Sequence, residues 1–196
     1  HTHIGIPVPD AWAGRSEVIT QPPEAASRAA AFGGVTTFLD FSGELPITPG
    51  ETPSTDPLMM QIYAACQEVG IPLLFHIDAI RGKDTPGLPR LEHAIKAHPK
   101  LNFIGHGPGW WASISGDCKS LGSYPKGPVT PGGAIERLME RYPNIYGDLS
   151  AGSGANSISR DKEFGRGFLL RRQDRLMFGT DYLQPGQPVP QFELFD

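Results

Sequence analysis

Short apolar runs that stop at a histidine or an aspartate recur along this chain, and no other feature restricts its fold so much. In Asp174–Leu183, DRLMFGTDYL, the run Leu176-Met177-Phe178 ends in Gly179-Thr180 and then presents Asp181. Leu73-Leu74-Phe75 leads to His76 and Asp78, Phe103-Ile104-Gly105 leads to His106, and Val35–Leu39 leads to Asp40. The chain itself opens His1-Thr2-His3. A buried strand that stops this way carries its polar residue at the carboxyl-terminal tip, the end where parallel α/β architectures place their chemistry. Histidines and acids gathered at one end of successive strands raise the expectation of a metal site. His1 and His3, two apart, share one face of a strand, and the spacing lets two imidazoles reach one ion. A terminal His-Thr-His also reads as the remnant of a tag, His76 as a core histidine and Asp181 as the cap of a following helix.

Helix signals alternate with these runs. Gln21–Phe32 starts at Pro22-Pro23 and stops at Gly33-Gly34, and the β-branched Gly34–Phe41 follows as a strand. Ser42–Thr55 is proline-rich loop. Asp56-Pro57 opens a helix to about Val69, with Leu58, Ile62, Ala65 and Val69 on its apolar face and Gly70 as the stop. The expected order is then strand Ile71–Ile80, helix Pro89–Ala97, strand Leu101–Gly105, helix Gly133–Tyr142, strand Asn144–Leu149 and helix Asp161–Arg172, before the closing strand. Residues 4–19, 107–132 and Ser150–Ser159 read as loops, and the tail QPGQPVPQFELFD has no clear helix. The loop at 107–132 is long enough to suggest a functional one.

Strands alternating with helices predict α/β with a parallel sheet. No glycine-rich phosphate loop follows the first strand, which argues against a nucleotide-binding sheet. Candidate residues spread over several strand tips favour a barrel over a doubly wound sheet, whose sites gather at one switch point. About six strands are visible, against the eight strands and ~250 residues of a full (β/α)8 barrel. The 196-residue chain is therefore expected to be a single domain, residues 1–196, forming an incomplete TIM-like barrel. An HxH at a strand tip also needs about five strand residues before it, so the chain reads as a fragment cut near its first strand and short at its end.

Composition removes several function classes. A formal charge of -4 and a pI near 5.9 offer no electrostatic footprint for nucleic acid or an anionic membrane. No apolar run approaches the ~20 residues that span a bilayer. The two cysteines, Cys66 and Cys118, make no disulfide framework, and a cytoplasmic setting is the default expectation. Asp40 and Asp148 end strands and suit either orienting a ligand imidazole or bonding loop backbone. Trp110 and Trp111 either wall a pocket or pin their loop, and Arg81 either meets a substrate carboxylate or is solvated. His93 and His98 are expected on the surface.

HTH, PLLFHI, HPKLNFIGHG, NIYGDLSA and DRLMFGTDY together resemble the amidohydrolase superfamily, in particular its amidohydrolase-related branch of single-metal TIM-barrel enzymes. The resemblance implies His1, His3, His76 and Asp181 as ligands of one divalent ion, zinc by preference, with His106 and Asp181 catalytic. It also implies a metal-dependent hydrolase that cleaves an ester, lactone or amide of a small molecule. The same branch hosts non-oxidative decarboxylases, which often carry an acid shortly after the sixth-strand histidine where this chain reads GHGPGWW. An inactive barrel remnant is a third reading, since two strand-helix units have no counterpart. No lysine stands at a strand tip to be carboxylated between two metals, which implies a single ion. The partner expected is a small-molecule substrate, and association with a second copy of the chain stays open.

Overall fold

The computed structural model describes residues 7–8, 18–19, 54–80, 82–182 and 186–196. The expectations for Gln21–Phe32, for Gly34–Phe41 with Asp40, for residues 42–53, and for His1, His3 and Arg81 lie outside those residues. Two compact units divide the chain, residues 1–46 with 181–189 and residues 47–180 with 190–196. In the first, β1 (Pro7–Val8) and β2 (Val18–Ile19) pair antiparallel, Pro7 opposite Ile19 and Val8 opposite Val18. Residues 4–19 are thus not all loop. Val and Ile favour extended backbone, and the surrounding prolines and glycines had hidden so short a ladder.

The second unit opens with α1 (Pro57–Val69). Asp56 caps it by accepting the Leu58 N–H at 2.9 Å, and Pro57 occupies a first-turn position that needs no N–H. Gly70 ends it in the left-handed conformation, its N–H bonded to the Cys66 carbonyl. The buried face differs from the expected one. Tyr63 is buried and Met59, Met60 and Cys66 pack on the core, while Leu58 and Val69 are exposed. Both faces satisfy the helical period; the Tyr63 ring, edge-to-face on Phe103 at 5.4 Å, decides between them.

The strands β3 (Leu73–His76), β4 (Phe103–His106), β5 (Ile145–Asp148) and β6 (Leu176–Met177) form one parallel sheet in sequence order. Each lies beside its predecessor, with His76 opposite His106 and Asp148 opposite Met177. No switch point interrupts the order among the described strands, as a barrel requires and a doubly wound sheet does not. α2 (Pro89–Ala97) joins β3 to β4, α3 (Pro108–Ala112) and α4 (Ala134–Arg141) precede β5, and α5 (Ala151–Ser159) and α6 (Lys162–Arg172) precede β6. α7 (Pro190–Phe195) closes the described chain.

Three of these helices correct the sequence reading. α3 lies within the expected loop 107–132, α5 replaces the expected loop Ser150–Ser159, and α7 forms in the tail. The small residues of α5 suggested a loop, but they serve close packing. A Cβ on Gly154 would run into the Leu149 backbone, and one on Gly165 of α6 would run into the Ile158 backbone. α7 is anchored through buried Gln191, whose Nε2 donates to the Leu149 and Ala151 carbonyls at 2.7 and 2.6 Å.

Period-two alternation gives the sheet two different faces. Phe75, Phe103 and Gly105 face the helices, where Tyr63, Phe103, Phe75, Trp110, Trp111 and Phe168 meet in successive edge-to-face pairs 5.4–6.5 Å apart. Trp110 lies on Gly105 in space that any side chain there would fill. His76, His106 and Asp148 are on the opposite face. α2 and α4 are tied by Glu92, which accepts from Arg137 at 2.5 Å, Arg141 at 2.7 Å and Tyr142 at 3.0 Å. Partial burial alone would raise the Glu92 pKa, but these partners outweigh it and hold the carboxyl below its ordinary value.

Candidate active site

The site is built on the carboxyl-terminal ends of β3, β4 and β5, where the apolar runs stop. His76 ends β3, and its Nε2 lies 3.1 Å from Asp78 Oδ2. Asp78 is itself held by the Ile80 N–H, 2.7 Å from its Oδ1. The His76 ring rests against Gly107, where a Cβ would stand 3.0 Å from two ring carbons. Next to it, His106 ends β4 with 3 % of its surface exposed. The two imidazole centroids are 5.2 Å apart and inclined by 58°.

Behind His106 is a buried acid with a hydroxyl. His106 Nδ1 lies 3.2 Å from Asp148 Oδ2 and 3.2 Å from Ser150 Oγ. Ser150 donates its hydroxyl to Asp148 Oδ2 at 2.6 Å and its N–H to Oδ1 at 3.0 Å. Asp148 is 3 % exposed and Ser150 fully buried. A carboxylate this deep survives only if donors replace its water, and here Ser150 supplies two, with His106 Nδ1 3.2 Å from the same oxygen that the hydroxyl reaches. The turn carrying them is fixed on every side. Trp111 Nε1 donates to the Asp148 carbonyl at 2.9 Å, the Leu149 N–H bonds the Met177 carbonyl at 2.9 Å, and Gln191 holds the carbonyls of Leu149 and Ala151. Gly179 passes so close that a Cβ on it would stand 2.7 Å from Asp148 Oδ1 and 2.9 Å from Ser150 Cβ.

The other expected residues are placed differently. Trp110 and Trp111 are core residues, 0 and 2 % exposed, on the helix side of the sheet. Their rings cannot wall a pocket beside His106, because Gly105 and Gly147 let them fold onto the far face. His98 is buried against Tyr63 rather than on the surface, and burial lowers its pKa; His93 is exposed. Asp181 belongs to the other compact unit, at φ 49, with its carbonyl accepting from Gln187 Nε2 at 2.8 Å. His1, His3 and Arg81 lie outside the described residues. Among the described residues, no three His, Cys, Asp or Glu side chains are grouped to hold a metal ion. The donor chemistry nevertheless suits a divalent ion that prefers imidazole nitrogen, since His76, the described ligand candidate among the histidines, has in Asp78 a carboxylate partner of the kind that orients such ligands. Ser150 was missed by sequence reasoning; its only signal is a hydroxyl two residues after a strand-ending aspartate.

A parallel α/β sheet in sequence order, with histidines and an aspartate on its carboxyl-terminal edge, has the architecture of an incomplete TIM-type barrel. The family model for Amidohydrolase matches residues 23–195, and the chain belongs to that family. The crystal structure of an uncharacterised TIM-barrel protein from Bordetella bronchiseptica is similar at a TM-score of 0.50 and 18 % identity. The match covers 88 % of this chain and 53 % of that one, so this chain spans about half the length of the structure it resembles. At that identity the likeness speaks for the fold, an incomplete TIM-type barrel. No curated protein matches the chain.

Proposed function

We propose that the protein is a metal-dependent hydrolase acting on an ester, lactone or amide bond of a small molecule. The observation that carries the reading is the pair His76 and His106, side by side on adjacent parallel strand ends with rings 5.2 Å apart, in a chain of the amidohydrolase family. His1, His3, His76 and Asp181 would hold one zinc ion. Such an ion, when bound, lowers the pKa of water from about 15.7 toward about 7 and so makes a nucleophile at neutral pH. Asp181 takes the proton of the attacking water and returns it to the leaving group, and His106 hydrogen-bonds the substrate oxygen that gains charge or fixes the water. Decarboxylation is the second reading. It is disfavoured by Gly107–Ala112, which follow His106 without a carboxylate and turn both tryptophans into the core.

The test is the full chain loaded with zinc and assayed against esters, lactones and amides, beside His106→Ala. Hydrolysis should appear with about one zinc per chain, and the variant should keep its zinc while losing on the order of 10²–10³ in turnover. Loss of zinc with His106→Ala would make His106 a ligand. Release of carbon dioxide from carboxylic acids without hydrolysis would establish the second reading instead.

A further inference from the structure

We infer that Asp148 and Ser150 are positioning residues that hold His106 in the tautomer with its proton on Nδ1, so that Nε2 carries the lone pair. The inference rests on the proposed role of His106, but its geometry stands independently. Ser150 has one hydroxyl proton, and the 2.6 Å approach to Asp148 Oδ2 commits it to the carboxylate. What Ser150 Oγ turns toward His106 Nδ1 at 3.2 Å is therefore a lone pair. Asp148 Oδ2, 3.2 Å from the same nitrogen, is an acceptor as well. Two acceptors facing one ring nitrogen require an N–H between them.

The arrangement has little freedom to relax. Asp148 Oδ1 is occupied by the Ser150 N–H, Gly179 closes the space beyond it, and Trp111 and Gln191 fix the turn. With Nδ1–H committed, neutral His106 meets the reacting groups as a proton acceptor through Nε2. The ring becomes a donor there only after taking a proton, and Asp148 is placed to stabilise the imidazolium that results. Of the two roles open to His106, fixing the water is the one this tautomer serves from the start.

The experiment is imidazole ¹⁵N NMR of the metal-free full chain at a pH where the ring is neutral, with His106 assigned through His106→Gln. The wild type should show a protonated, pyrrole-type Nδ1 and a pyridine-type Nε2. In Asp148→Asn the amide can donate to Nδ1, and the pattern should invert to Nε2–H. Zinc-loaded Asp148→Asn should keep its metal and lose on the order of 10²–10⁴-fold in turnover, as a wrong tautomer does elsewhere. An Nε2–H ring in the wild type, or an unchanged ring in folded Asp148→Asn, overturns the inference. Should that variant fail to fold, the wild-type spectrum still decides. The spectra need no substrate, so a protein with the expected tautomer and no hydrolysis would refute the function while leaving the positioning intact.

Discussion

Gly179 is the position where one methyl group would reach the site most directly. Its Cβ would stand 2.7 Å from an Asp148 oxygen that is already hydrogen-bonded, so neither side can give way cheaply. Gly179→Ala is expected to cost about 1–3 kcal/mol, the usual range for overpacking, and to disturb His106 through Asp148; denaturant unfolding and the ¹⁵N pattern check both effects. The same residues show how far the site was legible. His76, His106 and Asp148 announce themselves, because a polar side chain that ends an apolar run has nowhere to go but a strand tip. Ser150 does not, because its role depends on β5 lying beside β4, a pairing that the local sequence does not encode. Trp110 and Trp111 were open to either reading because a glycine- and proline-rich stretch signals length, not which face of the sheet it will cover.

At the scale of elements, helices with a start signal or an apolar period were legible, α2 and α4 among them without a side-chain cap, and short helices of small residues were not. α1 and α6 have an aspartate that accepts a backbone N–H of the first turn, and both begin where Asp56 and Asp161 suggest. α5 has no side-chain cap and is composed of small residues, so only its packing reveals it. α3 is the element most exposed to mutation, since Trp110 is fully buried between Gly105 and the Phe75 ring. Trp110→Ala should cost about 3–5 kcal/mol by transfer and cavity terms. Trp110→Phe should cost less, partly because it deletes an indole N–H that has no hydrogen-bond partner among the described residues. Urea denaturation of the two variants checks the order.

The whole molecule should be sensitive to acid. Asp161 accepts N–H bonds from Val129 and Phe164, which lower its pKa, and Glu92 is lowered by the partners that overcome its desolvation. A carboxylate whose folded pKa is depressed contributes its full stability above the unfolded value, near 4, and loses it as pH falls through the folded value. The melting temperature should therefore drop on acidification below about pH 5, and Glu92→Gln should flatten that limb while lowering the plateau above it. Among the described residues, no helix is long and apolar enough to cross a membrane.

The order of the sheet has a kinetic consequence. β3, β4, β5 and β6 are neighbours in space as they are in sequence, so each pairing closes only the one crossover between consecutive strands, of one or two helices. Loop closure must be met before a distant contact rewards it, and that cost is what slows folds of high contact order. In this sheet every strand after β3 emerges from the ribosome with its partner already made, and the edge that will carry His106 beside Asp148 can assemble in the order of synthesis.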